Sequence, residues 1–369
     1  MQNNKLFEPF EFAASGKTAK NRIVLAPMTN LQSEEDGILG EAEYKWLIRR
    51  AEEGFGTLIT CASHVSKDGQ GWKGELGIFD DKHIDGLRHL AQGIHSHGAL
   101  VIIQLFHGGA RSPAELIGQQ PWSASAHTMS INGAEVNIRA GQPSDIEQVI
   151  EDFVAAAMRA LAAGFDGIEL HGAHGYLLHQ FLSTHTNQRI DQWGGSFENR
   201  SRLLRTILSK IRSKVPKDFI IGVRLSPEDK FTYQGIDFDE SLNLAKLLAE
   251  AGADYIHISP WAAFKKPVKY PDGELTIIEH FRATVGPDVP LMVAGEIWTA
   301  ADAEKALSLG VDFVALGKVA IGVPDWPTRA KSGTEAIGRP PYTVAQLRAA
   351  DLSDTFISYM QRWSGFVDL

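Results

Sequence analysis

The chain has little cysteine and no long apolar run, and each absence excludes a class of protein. Cys61 is the one cysteine among 369 residues, so neither an intramolecular disulfide nor a cysteine-ligated iron–sulfur cluster can form within the chain. No apolar stretch approaches the ~20 residues of a membrane-spanning helix, and the first residues lack the apolar centre of a secretory signal. We therefore expect a cytoplasmic protein that does not enter a membrane.

Basic residues are also scarce. Lysine and arginine total 36 against 45 acidic residues, which gives a formal net charge of −9. Surfaces that bind nucleic acid are usually rich in basic side chains, so we expect no nucleic-acid partner. The hydrophobic fraction of 44% is instead typical of a large globular protein with an extensive core.

Short apolar segments alternate along the chain with segments of helical periodicity. Ser144 stands before one helical segment as its predicted N-cap. The predicted helices cover residues 42–53, 145–163, 197–214, 239–251 and 299–309. The predicted strands are Ile23–Leu25, 57–60, 100–105, 167–170, Ile220–Leu225, Tyr255–Ile258, Leu291–Ala294 and Phe313–Leu316.

Strand–helix repeats with near-continuous apolar strands predict a single (β/α)8 TIM barrel. A doubly wound sheet is the alternative, but it usually places a glycine-rich phosphate turn after its first strand, and residues 26–29 do not form one. Long segments follow the third strand (107–142) and the sixth (260–275). In a barrel both segments lie on the catalytic face, where residues 260–275 form either a lid or an ordinary surface loop.

Polar residues collect at the carboxyl ends of the predicted strands, where barrels build their active sites. His171 and His174 follow the fourth strand, and Tyr176 comes two residues later. If the turn after the strand is helical, both imidazoles face the same ligand. Two imidazole donors and a phenol can stabilise a developing oxyanion and deliver a proton.

Other strand ends predict a site for a flat, phosphorylated cofactor. Gly295 and Gly317 follow the seventh and eighth strands, where TIM barrels commonly bind phosphate through backbone N–H groups. Arg224 and Lys318 add positive charge, and the Gln104 amide can both donate to and accept from the edge of a heterocycle. Spacing and composition do not identify that heterocycle.

A histidine pair can also bind zinc, which needs a third protein ligand. Strand alternation counted from Leu170 predicts that Glu169 points away from the histidines. No other ligand is evident, so we predict no metal site.

The block of residues 171–200 resembles the old yellow enzyme family of FMN-dependent ene-reductases. It reads His-Gly-Ala-His-Gly-Tyr at 171–176, Asn-Gln-Arg at 187–189 and Asp-Gln-Trp-Gly-Gly-Ser-Phe-Glu-Asn-Arg at 191–200. The resemblance extends from about residue 7 to 326, and residues 327–369 are less informative. It implies one FMN-binding barrel domain over residues 1–369, with non-covalent FMN and with NADPH or NADH as the hydride donor.

The resemblance also assigns cofactor contacts. Thr29 would bond the reactive end of the flavin, and Arg224 would favour the anionic reduced form. The family mostly has arginine where Lys318 stands, and lysine keeps the charge without the two-pronged geometry. The residues implied to bind FMN are Pro27, Met28, Thr29, Ala62, Gln104, Arg224, Ala294, Gly295, Gly317 and Lys318.

The implied reaction moves hydride from NAD(P)H through flavin N5 to the β-carbon of electron-poor alkenes, namely enones, enals, maleimides and nitroalkenes. His171 and His174 would bind the carbonyl or nitro oxygen, and Tyr176 would protonate the α-carbon. Phe106 and Thr29 would shape the substrate pocket. The choice of nicotinamide, the physiological alkene, the stereochemistry and any homo-oligomer stay open.

Two other functions are compatible with a barrel. A flavin-free isomerase or aldolase could use the same phosphate site, but it needs a catalytic lysine or carboxylate inside the barrel, and the predicted strands show no evident lysine of that kind. A flavin-binding protein without activity would not need Tyr176 or the two histidines. Residues 359–363 slightly resemble a terminal segment that reaches a neighbouring subunit in some relatives, although a plain terminal helix explains them equally well.

Overall fold

The computed structural model describes residues 4–131, 133–229, 234–334 and 338–368. Eight parallel strands pair in chain order, and the last pairs with the first to close a barrel. The predicted TIM barrel is therefore confirmed, with three strands extending further towards their carboxyl ends than predicted. The barrel strands are β1 Ile23–Leu25, β2 Thr57–His64, β3 Leu100–Phe106, β4 Gly167–Gly172, β5 Ile220–Leu225, β6 Tyr255–Ile258, β7 Leu291–Ala294 and β8 Phe313–Leu316.

Amphipathic helices surround the barrel. The predicted Ser144 cap is wrong, because Pro143 occupies the first helical position and Gln142 is the N-cap. The predicted helix 197–214 is interrupted at Ser201, so that a short helix Phe197–Arg200 precedes the longer one. The main helices are α1 Glu41–Glu52, α2 Ile84–His95, α3 Pro143–Ala162, α4 Arg202–Lys214, α5 Phe238–Glu250, α6 Ile277–Val285, α7 Ala300–Ser308 and α8 Trp326–Lys331.

The lower part of the barrel interior is apolar. A hairpin of Phe10–Phe12 and Lys17–Ala19 closes the amino end of the strands, and the Phe12 ring stacks on Phe313 with centroids 5.3 Å apart. Tyr255 crosses the interior above Gly222, because a Cβ at Gly222 would lie 1.9 Å from Cζ of the tyrosine ring. The glycine therefore makes room for the largest side chain of this layer.

Above that layer the inward side chains become polar. Gln104 pairs with Glu169 across β3 and β4, and His171 pairs with Arg224 across β4 and β5. Leu170 packs in the outer core between the barrel and the helices, so its neighbours Glu169 and His171 both point inward. The expectation that Glu169 points away from the histidines is therefore wrong.

The long segments lie above the barrel, on the carboxyl side of the strands. Residues after β3 include a helix, Ala114–Ile117, and three strands, Trp122–Ser123, His127–Ile131 and Ala134–Ala140. Residues 260–275 contain neither helix nor strand. Within the described ranges, no helix is both long enough and apolar enough to cross a membrane.

The C-terminal residues pack against the start of the barrel. Two helices, Val344–Ala349 and Asp354–Met360, lie beside α1 and the loop after β1. Phe356 contacts Trp46 of α1 edge to face, at 5.5 Å between ring centroids. The Ser353 hydroxyl donates to Oε1 of Gln32 at 2.6 Å. Residues beyond the barrel are therefore part of the same packed core.

The Gly222–Tyr255 packing makes a stability prediction. Gly222→Ala adds a Cβ that has no space beneath the Tyr255 ring, so we expect the free energy of unfolding to fall by about 3 kcal/mol. Urea denaturation of the FMN-free protein measures the effect. The matched control is Gly86→Ala in α2, where the new Cβ meets Leu39 at an ordinary 3.6 Å and helix propensity adds up to about 1 kcal/mol. Equal stability of the two variants would contradict this packing.

Candidate active site

Two histidines and a tyrosine meet at the carboxyl end of β4. The ring centroids of His171 and His174 are 5.1 Å apart, and those of His171 and Tyr176 are 5.0 Å apart. The turn is not helical as predicted, because His174 has a left-handed φ of 61° and the next helix, Leu177–Leu182, begins after Tyr176. The tight left-handed turn, and not a helical face, brings the two imidazoles together.

Both imidazoles are neutral at pH 7. Burial lowers the pKa of His171 and of His174 well below the ordinary value, and the Arg224 cation lowers both further. The Ala173 amide donates to Nδ1 of His171 at 3.3 Å, so the hydrogen of this neutral ring lies on Nε2. Nε2 of His174 lies 2.8 Å from Oγ of Ser259, which accepts a hydrogen bond from Arg224 at 3.1 Å.

The Tyr176 phenol stays protonated at neutral pH. Burial raises its pKa, and the Arg111 guanidinium, 4.7 Å from the ring centre, partly opposes that shift. Arg111 also donates to the backbone carbonyl of His174 at 2.7 Å. Phe106 packs edge to face against Tyr176 at 4.5 Å. A protonated phenol held between an aromatic ring and a cation can act as a general acid.

The predicted cofactor residues lie at the same end of the barrel, at the opening formed by the carboxyl ends of its strands. Pro27, Met28 and Thr29 follow β1, and Sδ of Met28 lies 3.6 Å from the position that a Cβ on Gly317 would take. Ala62 in β2 pairs with Gln104 in β3. Ala294 ends β7 and precedes Gly295, while Gly317 precedes a short helix, Lys318–Gly322. The Lys318 side chain is exposed, so its predicted phosphate contact stays a prediction.

This opening suits a flat ligand with a polar edge. In the part of the chain that the structure describes, Nε of Arg224 and Nε2 of His257 are buried without a hydrogen-bond partner. A buried donor without a partner is costly, and a heterocycle with acceptor atoms would satisfy the guanidinium. Gly295 has a φ of 149°, and a Cβ there would meet the Trp261 backbone at 2.9 Å, so the chain keeps this position free of a side chain. These features fit FMN.

Two residues of the site were not predicted as members. The Tyr359 phenol, in helix Asp354–Met360, lies near the Thr29 side chain, and burial raises the Tyr359 pKa while Thr29 lowers it. Tyr359 therefore lies beside a loop of its own barrel. Trp261, exposed and with a left-handed φ of 64°, lies 5.6 Å from His174 between ring centroids. A left-handed conformation is unusual for a bulky residue and indicates a constrained position, but it could be recognised only in the structure.

Glu169 does not join the histidines as a metal ligand. Its two oxygens instead accept hydrogen bonds from Gln104, Tyr255 and His257. Across the described residues, no three His, Cys, Asp or Glu side chains are arranged to hold a metal ion.

The barrel, the histidine pair and the polar opening define a flavin oxidoreductase, and comparison with known proteins gives the family. A family model described as "NADH:flavin oxidoreductase / NADH oxidase family" matches residues 5–336. The chain belongs to this family, which the sequence resemblance identified as that of the old yellow enzymes. It is an oxidoreductase that uses FMN and a nicotinamide cofactor.

Individual relatives agree with this assignment. The chain is 39% identical over 334 residues to "Probable NADH-dependent flavin oxidoreductase YqiG" of Bacillus subtilis (strain 168), covering 89% of this chain and 88% of the relative. It is 36% identical to "NADH:fumarate oxidoreductase" of Klebsiella pneumoniae (strain 342), covering 90% of this chain. The chain spans 36% of that relative's length, so most of the relative has no counterpart here.

Solved structures share the fold. An old yellow enzyme homologue from Zymomonas mobilis superposes with a TM-score of 0.78 at 29% identity, covering 89% of this chain and 93% of that one. Morphinone reductase in complex with tetrahydroNAD has a TM-score of 0.78 at 28% identity and covers 94% of both chains.

The buried histidines make a titration prediction. Their lowered pKa values mean that neither His171 nor His174 takes up a proton near the ordinary histidine pKa of ~6.5, as NMR of ¹⁵N-histidine-labelled protein would measure. His171→Gln and His174→Asn variants assign the two signals. The unfolded chain binds these protons near pH ~6.5 and the folded chain does not, so each histidine lowers stability as pH falls through that value. A midpoint near 6.5 for either ring would contradict this environment.

Proposed function

We propose that the protein is an NAD(P)H-dependent ene-reductase that reduces electron-poor alkenes, namely enones, enals, maleimides and nitroalkenes. The observation that carries the proposal is the group of two neutral imidazoles and one protonated phenol, with neighbouring rings about 5 Å apart, at the opening that fits FMN. When bound, FMN supplies the hydride for the alkene after receiving it from NADH or NADPH.

His171 and His174 bind the carbonyl or nitro oxygen of the substrate. This oxygen gains negative charge while the conjugated double bond is reduced, so N–H donors stabilise the transition state more than the ground state. A neutral ring keeps one N–H, and charging it beside buried Arg224 would be unfavourable. The rings therefore act as hydrogen-bond donors and keep their protons.

Tyr176 donates the proton that completes the reduction at the α-carbon. Its raised pKa keeps the phenol protonated before the reaction, and Arg111 favours the phenolate that remains afterwards. Phe106 orients the tyrosine ring and lines the substrate pocket together with Thr29. The phenol is subsequently reprotonated from solvent.

FMN binds without a covalent bond. Arg224 would donate from its unpaired Nε to the polar edge of the ring, while backbone N–H groups after β7 and β8 and the charge of Lys318 would hold the phosphate. Thr29 would bond the reactive end of the ring, and Gln104 its pyrimidine side. The proposed FMN contacts are Pro27, Met28, Thr29, Ala62, Gln104, Arg224, Ala294, Gly295, Gly317 and Lys318.

Residues 1–369 form one FMN-binding domain in this proposal. The packing of Phe356 on Trp46 and of Tyr359 on Thr29 supports it, since the C-terminal helices share the barrel's core and its site. NADH or NADPH would bind over the flavin without a separate nucleotide domain. The solved complex of morphinone reductase with tetrahydroNAD, which matches 94% of both chains, supports the absence of a further domain. A cytoplasmic location and a homo-oligomer stay predictions.

The proposed function is tested by one anaerobic experiment. The FMN-loaded protein is reduced with NADH or NADPH, 2-cyclohexenone is added, and the visible absorbance is followed. We expect the yellow colour to return while cyclohexanone forms. A reduced protein that stays bleached would overturn the alkene substrate class, and a protein that binds no added FMN would overturn the proposed cofactor site.

Tyr176→Phe tests the proton donor. We expect reoxidation by 2-cyclohexenone to slow by about 10²–10⁴-fold, the usual contribution of general acid catalysis, while reduction by NADH keeps its rate. Rapid-mixing absorbance measurements separate the two half-reactions. The matched control is Tyr44→Phe in α1, whose ring stacks on His89 away from the site, and both of its half-reactions should match the wild type. Unchanged reoxidation of Tyr176→Phe would assign the proton to another donor.

A further inference from the structure

A buried carboxylate lies inside the barrel, one inward position below His171. The Glu169 side chain is 0% exposed. Gln104 Nε2 donates to it at 2.7 Å, Tyr255 Oη at 3.0 Å and His257 Nδ1 at 2.8 Å. Inward positions of TIM barrels are mostly branched apolar residues, and a buried charge is tolerated only with partners. Three donors from two strands, Gln104 on β3 with Tyr255 and His257 on β6, therefore hold the carboxylate in place.

Glu169 is ionised in spite of its burial. Burial raises its pKa, but the charge and the hydrogen bond of His257, the Arg224 charge and the Gln104 hydrogen bond more than offset that effect and lower the pKa below its ordinary value. Burial lowers the pKa of His257, and the charge and hydrogen bond of Glu169 oppose that shift. Because an ionised carboxylate only accepts hydrogen bonds, the His257 atom that faces it is a protonated Nδ1.

The carboxylate determines which way the Gln104 amide faces. An ionised carboxylate can only accept hydrogen bonds, so it takes the NH₂ group of Gln104. The carbonyl oxygen Oε1 is then the Gln104 atom left to accept from a ligand. A Gln104 without this partner could turn its amide by 180° and present a donor instead.

The same carboxylate balances the charge of Arg224. Burial lowers the pKa of this guanidinium, and Glu169 is the foremost group that opposes the shift. Among the described residues, no acid forms a salt bridge with Arg224, whose Nη2 donates to Ser259. Glu169 acts from one inward position lower, across β4 and β5, where the low-dielectric interior transmits its charge.

We propose that Glu169 is a positioning residue for FMN, which orients the Gln104 amide and offsets the Arg224 charge, and thereby sets both the affinity for FMN and its reduction potential. This inference rests on the proposed placement of FMN at Gln104 and Arg224. A cation beside the flavin favours the reduced form, which carries more negative charge. A carboxylate below that cation weakens the effect and keeps the flavin a stronger hydride donor.

Glu169→Gln keeps the shape of the side chain and removes its charge. We expect the equilibrium between oxidised and reduced flavin to shift about tenfold towards the reduced form, which is roughly 30 mV for a two-electron couple. Spectroelectrochemical titration of the FMN-loaded protein measures the potential without turnover. An unchanged or lowered potential would overturn the charge-balancing role.

The orientation of Gln104 is tested by FMN affinity. Fluorescence titration gives the Kd for FMN of Glu169→Gln, of Gln104→Ala and of the double variant. We expect each single variant to raise Kd and the double variant to raise it by less than the product, because both remove the same contact. Independent effects that multiply would show that Glu169 does not act through Gln104.

Two further variants test whether the Glu169 charge sets the flavin potential. Tyr255→Phe removes one hydrogen-bond donor and leaves the carboxylate, so Glu169 should take up a proton at a higher pH than in the wild type. Because protonated Glu169 no longer offsets the Arg224 charge, the additional rise in flavin potential should occur at that higher pH. Glu43→Gln is the matched control. Glu43 is also fully buried, but it lies on α1, where its Oε1 accepts a hydrogen bond from the Cys61 thiol at 2.8 Å. Burial raises its pKa, so its loss should leave the potential unchanged; an equal shift would overturn the proposal.

The same titrations separate the proposed FMN site from the proposed role of Glu169. Wild-type protein that binds no FMN would contradict the proposed cofactor site itself. Wild-type protein that binds FMN, together with a Glu169→Gln variant of identical Kd and potential, would contradict the role of Glu169 alone.

Discussion

Side chains on a β-strand alternate between its faces, and in a closed barrel every second residue enters the same narrow interior. In β4 this places Glu169 and His171 in successive layers, above an apolar base filled by Phe313 and its neighbours. The neighbouring strands contribute Gln104 and Arg224 at matching heights. The polar groups at the base of the site therefore lie directly above the apolar core of the barrel. They are held as rigidly as the packed apolar side chains below them.

Burial determines the protonation state of each group in this interior. It keeps His171 and His174 neutral and Tyr176 protonated, which are the forms that bind an oxyanion and deliver a proton. The same burial raises the pKa of Glu169, but the charges of His257 and Arg224 and the hydrogen bonds from His257 and Gln104 offset it. Burial thus acts on all four groups, and neighbouring charges and hydrogen bonds decide which of them is ionised.

The site is completed by segments far apart in the chain. Tyr359 approaches Thr29 because the C-terminal helices pack on α1 and the loop after β1. Trp261 approaches His174 from the loop after β6, and its backbone needs the glycine at 295. The rim of the barrel is therefore assembled from both ends of the chain, although the proposed catalytic groups lie within one short block.

The sequence by itself determined the positions of the barrel strands and the block that carries the proposed catalytic residues. Apolar runs such as Ile220–Leu225 and Tyr255–Ile258 coincide with strands, since burial on both faces is a local property of composition. The inward direction of Glu169, the left-handed turn at His174 and the contact of Tyr359 with Thr29 were decided by the tertiary structure. The reason is physical: direction and contact depend on how strands stagger and pack, and those interactions join residues that no local pattern relates.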